Sequence, residues 1–393
     1  QKTISTLRTK GVQITEEEGI GMQIAILLHD IGHGPFSHAM ENSIVVGVHH
    51  ESLSLEFMSI LNKEFDGALS LAISIFKNEN AISTNCLTLK LLFVANEGNF
   101  GESNGSISVI NDEGVVNTIE NVGDVVQSLL VHNDKLFVIV NNSHTIKVFN
   151  IFEDGFLELD SEISTNESSP REMIILENKL YFTNWNTSDV KILNLSTYTI
   201  ESSITLDGLP ESIVENNGDI YVGIMMNADY SDASTVVKIN PSTNYVTSTY
   251  EVGDGPTSLL VSDDKIYVAR TFYDSSWNAF HGTSLIDLNL DDSVSIVNYG
   301  AGTVCGGSVH SFKGNPYRSF EGGVASLKAD LTINESTLIG NYEAQNVYSV
   351  ETIGDKVYVG TYDGYVKILS EDNIEISSYR VGSFPGDFEV WKK

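Results

Sequence analysis

The chain has 393 residues, with 53 acidic against 22 basic side chains and a formal net charge of −31. A surface this acidic repels phosphate backbones and anionic membranes, which excludes nucleic-acid binding for the bulk of the chain and leaves cations and neutral or cationic ligands open. Hydrophobic residues make up 41%, enough for a buried core, and two cysteines, Cys86 and Cys305, provide no disulfide framework.

From the N-terminus, Ile20 to Met40 and Leu53 to Phe76 carry apolar residues at helical spacing. Leu53, Phe57, Ile60 and Leu61 form one such set, and the segment predicts two or three helices in a fragment covering residues 1–80. No apolar run reaches the ~18 residues that a membrane-spanning helix needs. No signal peptide is legible at Gln1.

The sharpest local motif is IAILLHDIGHGPFSHAME, residues 24–41. It sets His29 and Asp30 at the end of an apolar helix, with His33 and His38 on the next turns and a His-His-Glu run at 49–51. Imidazole and carboxylate together suit a divalent transition metal or Mg²⁺ that activates water against a phosphoester. The stretch from Gln1 to Lys77 resembles HD-domain phosphohydrolases of the dNTP triphosphohydrolase type. That resemblance implies His29 and Asp30 as metal ligands. It implies that His33, His38, and His49 or His50 with Glu51, face the phosphates or assist proton transfer. It also implies an upstream histidine motif and a downstream aspartate, and neither is present in these residues. A site with two of four ligands binds metal weakly, so the fragment is expected to be truncated and inactive. The alternative is a metal-dependent phosphohydrolase acting on nucleotides, with the rest of the chain as accessory domain.

Between Asn78 and Cys86 the helical patterning ends, and short alternating strands separated by Asn-Gly, Asp-Gly, Asn-Asp and Gly-Asp turns take over. One phrase recurs as NDKLFVIV (133–140), ENKLYFTN (177–184), NGDIYVGI (217–224), DDKIYVAR (263–270) and GDKVYVGT (354–361). The spacing is 40 to 46 residues, with one doubled gap that hides a degenerate unit around Gly307 to Ile333. LKLLFVAN followed by GSISVIN opens the series. Four short strands per unit at this period predict a seven-bladed β-propeller over residues 87–393. The fold class is therefore mainly β, with a small all-α HD-type fragment in front. The first unit lacks its inner strand, and the tail GDFEV (386–390) is expected to supply it, closing the ring and removing an exposed edge.

Connections between second and third strands are expected to be long at 96–105, 225–234, 270–283 and 310–323, all on one face of the ring. Their aromatics and amides suit a neutral polar ligand with flat apolar surfaces, and their arginines suit a phosphate or carboxylate. The predicted ligand-binding set is Asn96, Phe100, Trp185, Tyr230, Arg270, Phe272, Tyr273, Trp277, Tyr317 and Arg318. No cofactor is expected beyond the divalent metal of the HD motif. VANEGNFG, GLPESIV and GDGPTSLLV resemble the blade starts of YncE-like propellers. They are similar in particular to surface lipoproteins that accompany TonB-dependent transporters. That resemblance implies capture of a small molecule such as cobalamin and an outer-membrane transporter as partner; a protein partner on the long-loop face is the other expectation. The propeller resembles cell-surface or periplasmic proteins and the HD fragment cytoplasmic ones, which leaves the compartment open.

Overall fold

Short runs of β-branched and aromatic residues bounded by Asn, Asp and Gly turns form strands that cannot bury both faces alone, so they stack. A computed structural model describes residues 50–64, 90–301 and 307–392, with positions 19–20, 23–24, 69 and 73. Seven four-stranded antiparallel sheets make up the unit Leu89–Lys392. Blade one begins with β1 (Lys90–Asn96), β2 (Gly105–Asn111) and β3 (Gly114–Gly123). Blade two is β4 (Val126–His132), β5 (Lys135–Val140), β6 (Thr145–Ile151) and β7 (Leu157–Ser164). Blade three is β8 (Pro170–Leu176), β9 (Lys179–Asn184), β10 (Asp189–Asn194) and β11 (Thr199–Thr205). Blade four is β12 (Leu209–Asn216), β13 (Asp219–Met226), β14 (Asp232–Asn240) and β15 (Tyr245–Glu251). Blade five is β16 (Pro256–Ser262), β17 (Lys265–Tyr273), β18 (Ala279–Asp287) and β19 (Ser293–Ala301). Blade six, the degenerate unit, is β20 (Val309–Phe312), β21 (Asn315–Phe320), β22 (Gly323–Leu327) and β23 (Ile333–Ile339). Blade seven is β24 (Val347–Ile353), β25 (Lys356–Thr361), β26 (Tyr365–Leu369) and β27 (Glu375–Arg380). The last strand, β28 (Pro385–Lys392), returns to pair antiparallel with β1, Phe388 opposite Val94 and Trp391 opposite Leu91.

The innermost strands β4, β8, β12, β16, β20, β24 and β28 pack one against the next around the ring. Second strands such as β5 are buried along nearly their whole length, whereas outer strands such as β11 are mostly exposed. Two-residue turns set the hairpin register. Asn217 and Gly218 both take positive φ, 51° and 84°, which matches the twist of the flanking strands β12 and β13. Six apolar clusters fill the seams between neighbouring blades. Among the described residues none fills the seam between blades five and six. There Arg318, 1% exposed, crosses from β21 to donate to the Gly282 carbonyl at 2.7 Å and to Thr283 Oγ1 at 2.6 Å.

The unit Gln1–Thr88 contributes one helix described over its length, α1 (His50–Glu64). Its buried side centres on Ser54 and Met58, which lie one turn apart. Phe57 and Ile60, expected on the apolar face, sit on its flank and are about half exposed, at 48% and 49%. His29, Asp30, His33, His38 and His49 lie outside the described residues, as do the side chains of His50 and Glu51.

Candidate functional site

Six of the seven inner strands, all but β20, carry an irregularity at their first turn. The strand ladder shifts register after Val126, Pro170, Pro210, Pro256 and Val347, and again where Pro385 meets Asn96. A bulge of this kind re-aims the next side chain. The residues so turned are Gln127, Arg171, Glu211, Thr257, Tyr348 and Gly386, and every one lines a cavity along the ring's centre. One position further on, the blades carry Ser128, Glu172, Ser212, Ser258, Ser308, Ser349 and Asp387. Several of these clamp neighbouring blades. Ser349 Oγ donates to the Pro385 carbonyl at 2.6 Å, and the Leu129 amide donates to Asp387 Oδ2 at 2.6 Å.

The space inside has two storeys. The wide mouth, about 890 Å³, is lined by Phe100, Asn141, Asn142, His144, Trp185, Tyr230 and Phe384 among others. The throat beneath, about 560 Å³, is lined by Glu172, Ser212, Tyr273, His310, Glu351 and Asp387 among others. Glu97, Arg171, Trp185 and Tyr348 belong to both linings and form the waist. Arg171 lies over the Trp185 ring, its guanidinium carbon 4.7 Å from the centroid. It donates to Glu211 through Nε at 3.0 Å and Nη2 at 2.6 Å, and to Gln127 Oε1 through Nη1 at 2.7 Å. Burial opposes the Arg171 charge, but Glu211 with Glu172 and Glu97 together outweigh it and the guanidinium stays protonated. The indole N–H of Trp185 is buried and has no hydrogen-bond partner among the described residues.

The throat is lined by buried carboxyl groups. Burial pushes the Glu172 and Glu351 carboxyls well above the usual range, and the charge of Asp387 adds to both. Burial raises Asp387 to about 6. Burial also raises Glu97, against a hydrogen bond from Tyr348 and the charge of Arg171. His310 is pushed down to about 4 by burial and by Arg318, so it is neutral at pH 7. Among the described residues no group of three or more His, Cys, Asp or Glu side chains is arranged to hold a metal ion, and no helix is long and apolar enough to cross a membrane.

Of the ten residues predicted from sequence as ligand-binding, Phe100, Trp185 and Tyr230 line the mouth and Tyr273 the throat. The other six are absent from both linings. Asn96 is fully buried and donates to Ser106 and Ser108 inside blade one. Arg270 and Arg318, read from sequence as loop arginines for an anionic group, are 1% exposed within blades five and six. Arg270 donates through Nη1 to the Asp254 carbonyl and through Nη2 to the Val297 carbonyl and Asn298, while its buried Nε has no partner among the described residues. Tyr317 packs edge-on against Phe312, at 5.2 Å between ring centroids. Phe272 stacks on Phe280 at 5.8 Å, and Trp277 is 72% exposed outside both cavities. The expected connection at 96–105 is a loop over 97–104, but the other three are shorter than the sequence suggested, 225–234 being reduced to 227–231. Residues 310–323 form strands β20 and β21 with a tight turn, and β17 and β18 extend until only 274–278 connect them. Paired aromatics such as Phe272 and Phe280 continue the ladder outward, since rings stabilise cross-strand pairs.

A family model described as Domain of unknown function (DUF5074) matches residues 90–337, blades one to six. The chain belongs to this family. Solved structures add the fold. AztD from Citrobacter koseri in its apo form is 12% identical with a TM-score of 0.52, over 77% of this chain and 98% of that one. A candidate 6-phosphogluconolactonase from Bacteroides fragilis is 14% identical with a TM-score of 0.56, over 79% and 99%. Another from Bacteroides uniformis is 13% identical with a TM-score of 0.57, over 77% and 99%. At these identities the chain's likeness to them is one of fold, a seven-bladed β-propeller. No curated protein sequence matches the chain.

Proposed function

We propose that this chain is a non-enzymatic propeller that captures a small molecule in the two-storey cavity at the centre of its ring. The observation that carries the reading is the waist. There an aromatic face, an orphaned indole N–H, a braced guanidinium and a carboxylate converge where a mouth of about 890 Å³ narrows to a throat of about 560 Å³. Concave sites of this size, with a few convergent polar groups on an apolar wall, are what small-molecule binding needs. Rings at the mouth suit flat apolar surfaces, and the amides of Asn141, Asn142 and Asn186 suit a ligand's polar edge.

Cobalamin capture, which the resemblance to YncE-like surface proteins implies, is the finer form of this proposal. The first test is calorimetric titration of the full chain with cyanocobalamin and a panel of neutral and cationic aromatic compounds, alongside a Trp185→Ala variant of unchanged thermal stability. Saturable binding that the variant loses supports the reading. Binding unaffected by the variant, or none across the panel, overturns it. The alternative of an HD-type phosphohydrolase rests on the His29–Asp30 motif. Stoichiometric metal and phosphate release from nucleotides, both lost in His29→Ala/Asp30→Ala, would support that alternative, and absence of both removes it.

A further inference from the structure

We infer that the cavity selects ligands carrying a positive charge, with an aromatic body held at the mouth by Trp185, Tyr230 and Phe384 and a protonated amine reaching past Glu97 towards Glu172 and Asp387. This deepens the ligand-binding reading of the same cavity and rests on it.

The charge balance of the walls is the main ground. The two linings contain the carboxylates of Glu97, Glu172, Glu211, Glu351 and Asp387 against a single guanidinium, Arg171. That guanidinium is already matched by Glu211 in a two-point pair. Among the described residues no lysine or arginine forms an ion pair with Glu97, Glu172, Glu351 or Asp387. Carboxyl groups crowded in a narrow, partly dehydrated space hold protons while it is empty; a cation among them takes the place of those protons, and an anion is strongly disfavoured.

The rings point the same way from an independent direction. Tyr348, Tyr362 and Phe384 form one aromatic cluster, with Tyr348 5.1 Å from Tyr362 and 5.4 Å from Phe384. Tyr348 and Phe384 line the mouth beside Glu97, whose amide donates to the Phe384 carbonyl at 3.0 Å. Ring faces carry negative potential and attract an ammonium as the carboxylate does. Two unpartnered polar groups supply the remaining contacts. The Trp185 indole N–H calls for an acceptor on the ligand body. Ser212, 7% exposed on the throat wall, has a hydroxyl without a partner, which an ammonium can satisfy.

The test uses three probes that share an indole ring and differ in the tail: tryptamine, indole-3-ethanol and indole-3-acetate. Each is titrated calorimetrically into the full chain at low salt. Tryptamine is expected to bind about tenfold tighter than indole-3-ethanol, and indole-3-acetate weakest, with the tryptamine advantage shrinking as NaCl is raised. Glu97→Gln and Glu172→Gln should each bring tryptamine towards the affinity of indole-3-ethanol and leave the neutral probe unchanged. Equal binding of all three, or tighter binding of the acetate, would show a working cavity blind to charge, which sinks this inference and spares the ligand-binding proposal. No binding of the three at millimolar concentration, while cyanocobalamin or another neutral compound binds at Trp185, likewise sinks the inference and spares the proposal. No binding of any probe overturns both.

Discussion

Arg171 of the third blade and Glu211 of the fourth meet fork to fork, Nε to Oε2 at 3.0 Å and Nη2 to Oε1 at 2.6 Å, across the seam between β8 and β12. Gln127 of the second blade takes a further donor of the same guanidinium, and Trp185 lies under its face. One side chain thus fixes three blades at the level where the cavity narrows. The planar fork matters, because it meets both carboxylate oxygens of Glu211 at once.

Arg171→Ala should therefore cost about 2–3 kcal/mol of unfolding free energy, since it leaves Glu211 half-buried and unpaired near Glu172. Arg171→Lys should recover less than half of that, because an ammonium cannot make the two-point contact. The double variant Arg171→Ala/Glu211→Ala should be more stable than Arg171→Ala alone. Urea denaturation of the wild type, Arg171→Ala, Glu211→Ala and the double variant closes the cycle, and strictly additive effects would mean that the pair contributes nothing of its own.

At the seam between blades five and six, Arg318 takes the place that apolar side chains hold elsewhere. Its partners are the Gly282 and Ser319 carbonyls and Thr283 Oγ1, with Tyr299 4.9 Å from its guanidinium carbon. Burial lowers its affinity for its proton, yet it has no carboxylate partner among the described residues. Arg318→Ala leaves acceptors unpaired and opens a cavity, for an expected loss of about 3 kcal/mol. Arg318→Met fills most of the volume and removes a buried charge, so its loss should be smaller, about 1 kcal/mol. Denaturant midpoints of both variants check the order.

The repeat phrases make the blade count and order legible, because turn residues and apolar alternation recur in a fixed register. The degenerate sixth blade is legible only as a gap. Its strands carry Arg318 and Pro316 where the others carry Val, Ile, Leu or Phe, so the apolar signal fades there. The site is legible in part. Trp185, Tyr230 and Phe100 stand out as aromatics in turns. Gln127, Arg171, Glu211 and Tyr348 do not, since a bulge inserts a single residue into an alternating pattern and looks like strand. Superposing the blade starts by the proline of GLPES and DGPTS brings Arg171, Glu211 and Thr257 to one position. Arg270 and Arg318 look like ligand contacts in the sequence because 270–283 and 310–323 read as loops, whereas the Phe272–Phe280 pair extends the sheet in the first and 310–320 folds as β20 and β21 in the second.

The ring depends on its last eight residues. Strand β28 supplies the inner strand of blade one, buries Phe388 and Trp391 to 2% and 3% exposure, and places the Trp391 indole N–H 3.2 Å from Asp134. Removing residues 385–393 would leave the β1 edge unpaired beside an open apolar seam, and such an edge recruits other chains. The truncated protein should aggregate or run as large oligomers in size-exclusion chromatography. Trp391→Ala, which keeps the strand, should remain monodisperse and lose about 3 kcal/mol. A soluble, fully folded truncation would show that the tail strand is dispensable.

Acidity should stabilise this protein. Asp387 is raised to about 6 and Glu389 to about 7, in both cases chiefly by burial, and Glu172 and Glu351 are raised well above the usual range. In the unfolded chain the same groups release their protons near pH 4. Between about pH 4 and pH 7 the folded state therefore holds more protons than the unfolded one, and unfolding free energy falls as pH rises. The contribution is complete below about pH 4 and is lost as pH climbs through 6 and 7. Melting temperature should accordingly decline from pH 5 to pH 8. Asp387→Asn retains an oxygen to accept the Leu129 amide and removes one titrating group, so its decline should be shallower. Glu389→Gln should flatten the upper end of the range in particular. A melting temperature that rises with pH over this interval would mean that the channel carboxylates are ionised in the folded protein.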